Sequence, residues 1–300
     1  MGLSSRLLYA DEIVTVRHVC CCPHDHVCGG PEATPAHVIA FPLQGVFVKH
    51  LDDGREVVAH PGQAVFFNSG ECYRVSHPLG GDDCFVLELP ESLLREILRV
   101  HDPRSAERKS SPFQASHVQL SGPALLRQRA LRRNVRATCT ALAIEERALE
   151  LVADALSATP ARESCGVRGR LAARRRREQV SAITVLLASE PARPWTLDEL
   201  AREVHGSPFH LARVFRGEQG SSIHQYLLHV RLTYALDAVL DSGAPLTTIS
   251  LDAGFATPSH FAAAFHARYG VAPSSLRRSL RTATARELRR ISTAANGTLP

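Results

Sequence analysis

Two stretches in the C-terminal third of the chain are copies of one another, and that repeat constrains the fold more than any other feature. LDELAREVHGSPFHLARVFRGEQG (197–220) aligns with LTTISLDAGFATPSHFAAAFHARYG (246–270). His210 and His260, Phe215 and Phe265, and Gly220 and Gly270 pair at an offset of 50, whereas Leu197 and Leu246, Leu200 and Ile249, and Val204 and Ala253 pair at 49. The second copy therefore has one more residue in its turn. Each copy predicts a short helix, a tight turn and a second helix capped by Ser207 or Thr257, whose hydroxyls can accept from the orphan amides of a helix start. Gly254 supplies the turn in the second copy, as such units often require. A pair of ordinary helical hairpins would show the same periodicity, but two copies with the same short turn are improbable by accident.

The connection between the copies, SIHQYLLHVRLTYALDAVLDS, reads as one long helix of about 31 Å at 1.5 Å per residue. A turn of B-DNA is about 34 Å long, so both second helices could enter successive major-groove faces on one side of a duplex. Charge is compatible with such a partner. Residues 165–300 carry 18 basic and 10 acidic side chains, against 17 and 20 in residues 1–164. A basic half permits a polyanion partner. It does not establish one, because lysine occurs only at 49 and 109 and an arginine-rich balance is also what a GC-rich genome produces.

Residues 178–280 resemble the DNA-binding domain of the AraC/XylS family of bacterial transcription regulators. The resemblance is carried by Ala201, Ser207, the run His210 to Arg216, Gly220, Ile223, Tyr226, Leu227, Arg231 and Leu232. In the second copy it is carried by Ile249, Ala253, Gly254, Phe255, Ser259, His260, Phe261, Phe265, Tyr269, Gly270, Pro273 and Arg277. It implies that the second helix of each unit lies in the major groove, with phosphate contacts fixing register and side chains reading base edges. By position, Phe209 and Arg213 would meet bases, Arg213 as a bidentate guanine contact, and Ser207 and Arg216 would meet the backbone. Pro208 and His210 complete the first contact set. The second set is Thr257, Pro258, Ser259, Ala263 and His266, where Ala263 replaces an arginine common in relatives and His266 a lysine or arginine. This half is therefore expected to read DNA weakly, through thymine methyls, backbone clamping and shape.

The N-terminal third has the opposite period. HVIAF, GVFVKH, REVVAH, QAVFF, YRVSH and CFVLELP are short β-rich runs, separated by Asp-Asp-Gly, His-Pro-Gly, Asn-Ser-Gly and Gly-Gly-Asp turns. Turns every 8–12 residues predict a sandwich or small barrel. Gly54, His60 to Gly62, Phe66 to Glu71 and the strand from Tyr73 to Pro78 resemble the cupin-like sensor half of many family members, which implies a β-barrel with an effector pocket. Phe47, Phe66, Tyr73 and His77 are the pocket candidates. Tyr73 stands where cupins often place a histidine, so a cupin enzyme fused to a DNA-binding domain is the weaker reading, and no catalytic residue is assigned.

The run HVCCCPHDHVC needs separate treatment. His18, Cys20, Cys22, His24, His26 and Cys28 share parity, so an extended chain would point them to one face. At about 3.3 Å per residue they span roughly 33 Å, too far for one ion. A subset of Cys20, Cys22, His24, His26 and Cys28, joined by Cys72, His77 or Cys84, could form a thiolate–imidazole metal site. Thiol redox sensing is a second possibility. The third is that the cysteines are small buried hydrophobes and the histidines lie in a polar loop. No cofactor is assigned, and a metal- or redox-responsive regulator is the alternative reading.

Between the two halves, ESLLREILRV, LLRQRALRRNVRATC after Pro123, and TALAIEERALELVADALSA read as helices. Leu142, Glu145, Leu149, Val152 and Leu156 form a stripe expected to make a dimer contact. The expected organisation is α+β and multidomain. Residues 1–95 form a cupin-like effector-sensing β domain, 96–165 a helical linker and dimerisation region, and 166–177 a basic linker. Residues 178–282 form the all-α DNA-binding domain, with helix-turn-helix units at 196–217 and 246–268, and 283–300 a tail. No apolar run approaches the roughly 20 residues of a membrane span. The reading is a non-enzymatic, cytoplasmic regulator, more in keeping with an activator. Its expected partners are double-stranded promoter DNA, RNA polymerase, a small-molecule effector and a second copy of itself, with no membrane.

Overall fold

A computed structural model describes residues 2–22, 29–101, 111–136, 140–158 and 170–282. Among these residues lie ten strands, β1 (Gly2–Ala10), β2 (Thr15–Cys22), β3 (Glu32–Ala33), β4 (Val38–Gln44), β5 (Phe47–Leu51), β6 (Glu56–Ala59), β7 (Gln63–Phe67), β8 (Cys72–Ser76) and β9 (Asp82–Glu88), with β10 (His117–Gln119) following the first helix. They form two antiparallel sheets, ordered β1-β2-β9-β4-β7-β10 and β3-β8-β5-β6. The β-rich runs fall on β4 to β9, with the Gly and Pro turns between them. The expected closed barrel is not found among the described residues: no ladder joins the two sheets.

The larger sheet is the middle layer, which is why its strands are apolar almost without interruption. Period-two geometry sends alternate side chains to opposite faces. Ile39, Phe41, Ala64, Phe66, Phe85 and Leu87 point to the helical side. Their neighbours Ala40, Val65, Phe67 and Cys84 point instead to the smaller sheet, where they meet Phe47, Val57 and Ala59. Each such large side chain contributes roughly 1.5–3 kcal/mol on burial.

Three helices cover the outer face: α1 (Glu91–His101), α2 (Gly122–Arg136) and α3 (Ala141–Ser157). α1 buries Leu94 and Leu98, and α3 buries Ile144, Ala148, Leu151, Val152, Ala155 and Leu156. The stripe expected for dimer contact does not lie on one exposed face. Leu142 is 71% exposed, while Val152 and Leu156 are buried inside this chain. The packed stripe runs through Ile144, Ala148, Leu151 and Ala155, a short step round the helix from the predicted one.

Seven helices complete the described chain: α4 (Arg170–Ser189), α5 (Leu197–Glu203), α6 (Pro208–Gln219), α7 (Ile223–Asp241), α8 (Leu246–Asp252), α9 (Pro258–Tyr269) and α10 (Pro273–Thr282). Arg174 to Arg177, expected in a basic linker, lie within α4. The two copies of the repeat do not share one core. Val180, Ile183, Leu200, Leu211, Phe215, Tyr226 and Val230 form a cluster around the first copy. Phe255, Phe261, Phe265 and Tyr269 of the second copy belong to the same large cluster as the outer face of the middle sheet and helices α1 to α3. α7 crosses between them, with Tyr226, Leu227 and Val230 in the first core and Leu232, Leu236 and Val239 in the second.

Polar contacts follow the same division. The Arg129 guanidinium donates from Nε and Nη2 to the two oxygens of Asp237, both at 2.8 Å. Arg133 reaches Asp241 at 2.6 Å, and Arg268 donates to the Leu120 carbonyl at 2.5 Å. At the start of α2 the backbone itself comes close: a Cβ on Gly122 would lie 1.8 Å from the Arg268 carbonyl oxygen, so no other residue fits. On the first copy's side, α4 rests on Val46, Val48 and Val58 through Ala188 and Val185. The buried Tyr226 hydroxyl meets His60 Nε2.

Candidate nucleic-acid interface

The repeat survives folding at residue level. α6 and α9 occupy 208–219 and 258–269, an offset of 50 at both ends, and α5 and α8 occupy 197–203 and 246–252, an offset of 49. The caps match as well. The His210 amide donates to Ser207 Oγ at 3.3 Å and the His260 amide to Thr257 Oγ1 at 3.2 Å, with Pro208 and Pro258 opening the first turns. Pro suits that place because its missing N–H would have had no partner there. Gly220 and Gly270 close the helices in the left-handed conformation, at φ 70 and 72°.

The turns differ where the sequence inserts its extra residue. In the first unit His205 takes the left-handed position at φ 51°. In the second, Gly254 takes it at φ 81°, and a Cβ there would meet the Ala192 backbone at 2.7 Å. The second turn thus presses on the segment leading into the first unit and admits only glycine. α5 starts from a reciprocal cap, Glu199 N to Thr196 Oγ1 at 3.2 Å and Thr196 N to Glu199 Oε2 at 2.8 Å. α8 starts at Pro245 with no side-chain cap.

With Leu211, Val214 and Phe215 turned inward, α6 presents Phe209, Arg213 and Arg216 outward. These positions are four and three apart, hence on one helix face. Phe209 is 80% exposed, a large apolar ring held in solvent by its own helix. α9 turns Phe261, Phe265 and Tyr269 inward and presents Ser259, Ala263 and His266 at equivalent positions. Ser207, Thr257 and Pro258 are also exposed, and Pro208 and His210 are half-buried. All eleven expected contact residues therefore lie on or at the starts of the two exposed helices. The opposite side of α9, with Phe261, Phe265, Arg268 and Tyr269, faces the core shared with the N-terminal body and meets the start of α2 at Leu120 and Gly122.

α7 is shorter than the sequence predicted, because Ser222 and Ser242 serve as its caps. Its 19 residues give about 28 Å at 1.5 Å per residue. Two arginines that carry the family resemblance have structural work. Arg231 donates to the Pro191 and Arg193 carbonyls at 2.6 and 2.9 Å, and Arg277 to the Val239 and Ala244 carbonyls at 3.2 and 2.7 Å. Sequence reasoning missed Arg129, Asp237 and Arg268 altogether, and no local signal marks them, since each meets a partner more than a hundred residues away.

The residues expected at the sensor do not gather in one place. Phe47 and partly buried Tyr73 line the space between the sheets. Phe66 faces the other way and stacks on Phe113 with ring centres 4.9 Å apart, so it is no part of that lining. His77 sits at the end of β8, against Asp82 at 2.7 Å. Lys49, which the sequence did not single out, is fully buried between Phe67 and Tyr73; its Nζ donates to Glu71 at 2.6 Å and to the Phe66 carbonyl at 3.0 Å. Desolvation lowers its pKa, against the pull of the Glu71 carboxylate.

Of the metal candidates, His24, His26 and Cys28 lie outside the described residues. Cys20 and Cys22 share a face of β2 with their sulfurs 3.7 Å apart, as parity predicted. Cys72 is exposed on β8, in register with Ala33 and away from that pair. The Cys20 thiol is pushed up to about 12, first by its hydrogen bond to Asp83 and then by Cys22. Such a thiol has little thiolate at neutral pH, which works against redox sensing at this position.

A helix-turn-helix family model matches residues 200–279. The chain is 35% identical over 96 residues to the urease operon transcriptional activator of Escherichia coli, covering 32% of each chain. It is 32% identical over 125 residues to the HTH-type transcriptional regulator GlxA of Rhizobium meliloti (strain 1021), covering 41% of this chain and 39% of that one. The alignments thus span about a third to two-fifths of these curated relatives. Among solved structures, the C-terminal domain of AraT, a response regulator from Geobacillus stearothermophilus, aligns with a TM-score of 0.33 at 26% identity, covering 34% of this chain and 84% of that one. The C-terminal domain of this chain is a helix-turn-helix domain of the AraC type.

Proposed function

We propose that the protein regulates transcription by gripping promoter DNA with α6 and α9, under the control of a signal received by its β layers. The observation that carries this reading is the pair of equivalent outward faces, Phe209–Arg213–Arg216 and Ser259–Ala263–His266, on helices capped and spaced alike. Arg213 reads a guanine and Phe209 packs on a base edge. Ser207, Thr257 and Arg216 hold phosphates, with Pro208, His210 and Pro258 shaping the approach. The second unit, lacking a long basic side chain at 263, adds backbone and shape contacts. Phe47 and Tyr73 line the effector pocket. The protein works as an activator that engages RNA polymerase, and as a homodimer.

The test is selection of bound sequences by the full-length protein from a random duplex library, followed by affinity measurement on the selected site at several salt concentrations. Enrichment of a defined motif is expected, with affinity falling steeply as salt rises, because each phosphate-bound arginine displaces condensed counterions. No enriched motif, or an affinity indifferent to salt, overturns the reading. Sedimentation of the same protein with and without the duplex reports the dimer.

A further inference from the structure

At one end of the middle sheet three ligating side chains of different chemistry converge on one another. Cys21 and Asp82 are direct partners in the β2–β9 ladder, and His77 reaches Asp82 across the turn between β8 and β9. One donor atom from each of Cys21, His77 and Asp82 lies within 4.8 Å of the other two. His77 and Asp82 touch at 2.7 Å, and all three residues are buried. The other Asp82 oxygen accepts from the thiol of Cys84, fully enclosed behind it, at 3.2 Å.

We propose that Cys21, His77 and Asp82 form a binding site for a borderline divalent transition ion, Zn(II) being the natural occupant. Thiolate, imidazole and carboxylate together suit Zn(II), Co(II) or Ni(II) and not the oxygen-only preference of Mg(II) or Ca(II). Bond lengths of about 2.0–2.3 Å place tetrahedral donors roughly 3.3–3.7 Å apart. The three donors lie within 4.8 Å of one another, and His77 and Asp82, now at 2.7 Å, must part by roughly 0.6 Å to admit the ion between them. The ion takes the place of the proton shared by His77 and Asp82, and it takes up Cys21 as thiolate with release of its proton. Cys84 fixes the carboxylate from behind, as outer hydrogen bonds do around metal ligands. Three protein ligands leave a fourth position for water or a small anion.

The site was hidden from parity reasoning because Cys21 is out of phase with Cys20 and Cys22. The strand turns the flanking pair to one face and Cys21 to the other, where His77 and Asp82 wait. The proposal is independent of how the helix-turn-helix units bind DNA. It also explains a pairing that otherwise encloses a carboxylate, an imidazole and two thiols in the same small volume.

The experiment uses the full-length protein, purified in reducing buffer, stripped with a chelator and titrated with Co(II), then with Zn(II) as competitor. Equimolar Co(II) uptake is expected, with a thiolate-to-cobalt charge-transfer band in the near ultraviolet that Zn(II) abolishes. In Cys21→Ala that band should vanish and affinity fall at least tenfold. In His77→Gln affinity should fall at least tenfold while saturating Co(II) still raises the band; the Cys20→Ser/Cys22→Ser double variant keeps both band and affinity. Circular dichroism and DNA binding of each variant establish that it is folded. Asp82→Asn, which retains size and polarity, guards against a misfolded His77 variant and should weaken binding without removing the band. Absence of a band in the native protein, or its loss only with Cys20 and Cys22, overturns the proposal. So does a band that survives in folded Cys21→Ala.

Discussion

Arg129 on α2 and Asp237 on α7 are joined by two parallel hydrogen bonds of 2.8 Å, with the guanidinium 3% exposed and the carboxylate 30%. This pair ties the helix that follows the β layers to the helix that connects the two DNA-facing units. It lies beside Arg133 with Asp241 and Arg132 with Asp241, at 2.6 and 3.4 Å. Three arginines of one helix thus hold two aspartates of another.

Arg129→Ala should lower stability by about 2 kcal/mol. Breaking a fully buried pair costs about 3–5 kcal/mol, and the partial exposure of Asp237 reduces that. A double-mutant cycle with Asp237→Ala, read by urea unfolding, should return a coupling energy of about 1 kcal/mol or more. Additive single effects would mean the pair contributes no specific linkage.

Arg213→Ala should cost about 1–3 kcal/mol in DNA affinity and relax the requirement at a single base position, leaving the others as they were. Competition binding against the selected site and its single-base variants separates the two effects. A uniform loss across all variants would assign Arg213 to the phosphates. Ala263→Arg is the complementary test. It adds the missing long donor to the exposed face of α9 and should create a new base preference in the half-site under the second unit.

Gly254→Ala should be among the more damaging single substitutions in the domain. It forces a side chain into φ 81° and pushes Cβ against the Ala192 backbone, for a loss of roughly 2 kcal/mol or more. Gly217, exposed within α6 with nothing within 4 Å of an added Cβ, makes the control. Gly217→Ala should stabilise by about 0.5–1 kcal/mol, because alanine is the better helix residue. Thermal unfolding of the two variants should therefore move in opposite directions.

His60 is buried against Tyr226, and desolvation drives its pKa down from 6.5 to about 4. Its neutral form is the folded form. The unfolded chain therefore binds more protons between these two values, and stability falls as pH drops from about 6.5 toward 4, by on the order of 3 kcal/mol. Half-buried His117, whose pKa desolvation also lowers, and His229, pushed down to about 4, add to the same slope. His60→Gln should flatten the dependence of the unfolding midpoint on pH in that window and leave a residual slope from the other two. Equal slopes in the two proteins would place the acid sensitivity elsewhere.

Much of this was legible in the residues. The helix bounds of both units follow the offsets of 49 and 50, because caps at Ser207, Thr257, Gly220 and Gly270 and the inward stripes through Phe215 and Phe265 are local chemistry. Strands β4 to β9 were legible for the same reason, their turns being written in Gly, Pro, Asn and Asp. β1 and β10 were not. β1 is an exposed edge strand with Leu3 and Leu7 in solvent, and three-residue β10 exists only because β7 offers it a partner. The phase of α3 was misread by a fraction of a turn, since Leu142 and Ile144 are equally apolar and only the neighbouring helices select between them.

The sequence by itself determined the repeat, the two outward helix faces and the chemistry they can offer to DNA. These depend on periodicity and capping, interactions that span a few residues. Tertiary structure alone decided that the second unit shares its core with the sheet and helices of the N-terminal body while the first keeps its own. It also decided that Cys21 meets His77 and Asp82 while its neighbours turn away. Periodicity states which side of a strand or helix must be covered, but the covering partner is chosen by packing among segments far apart in the chain.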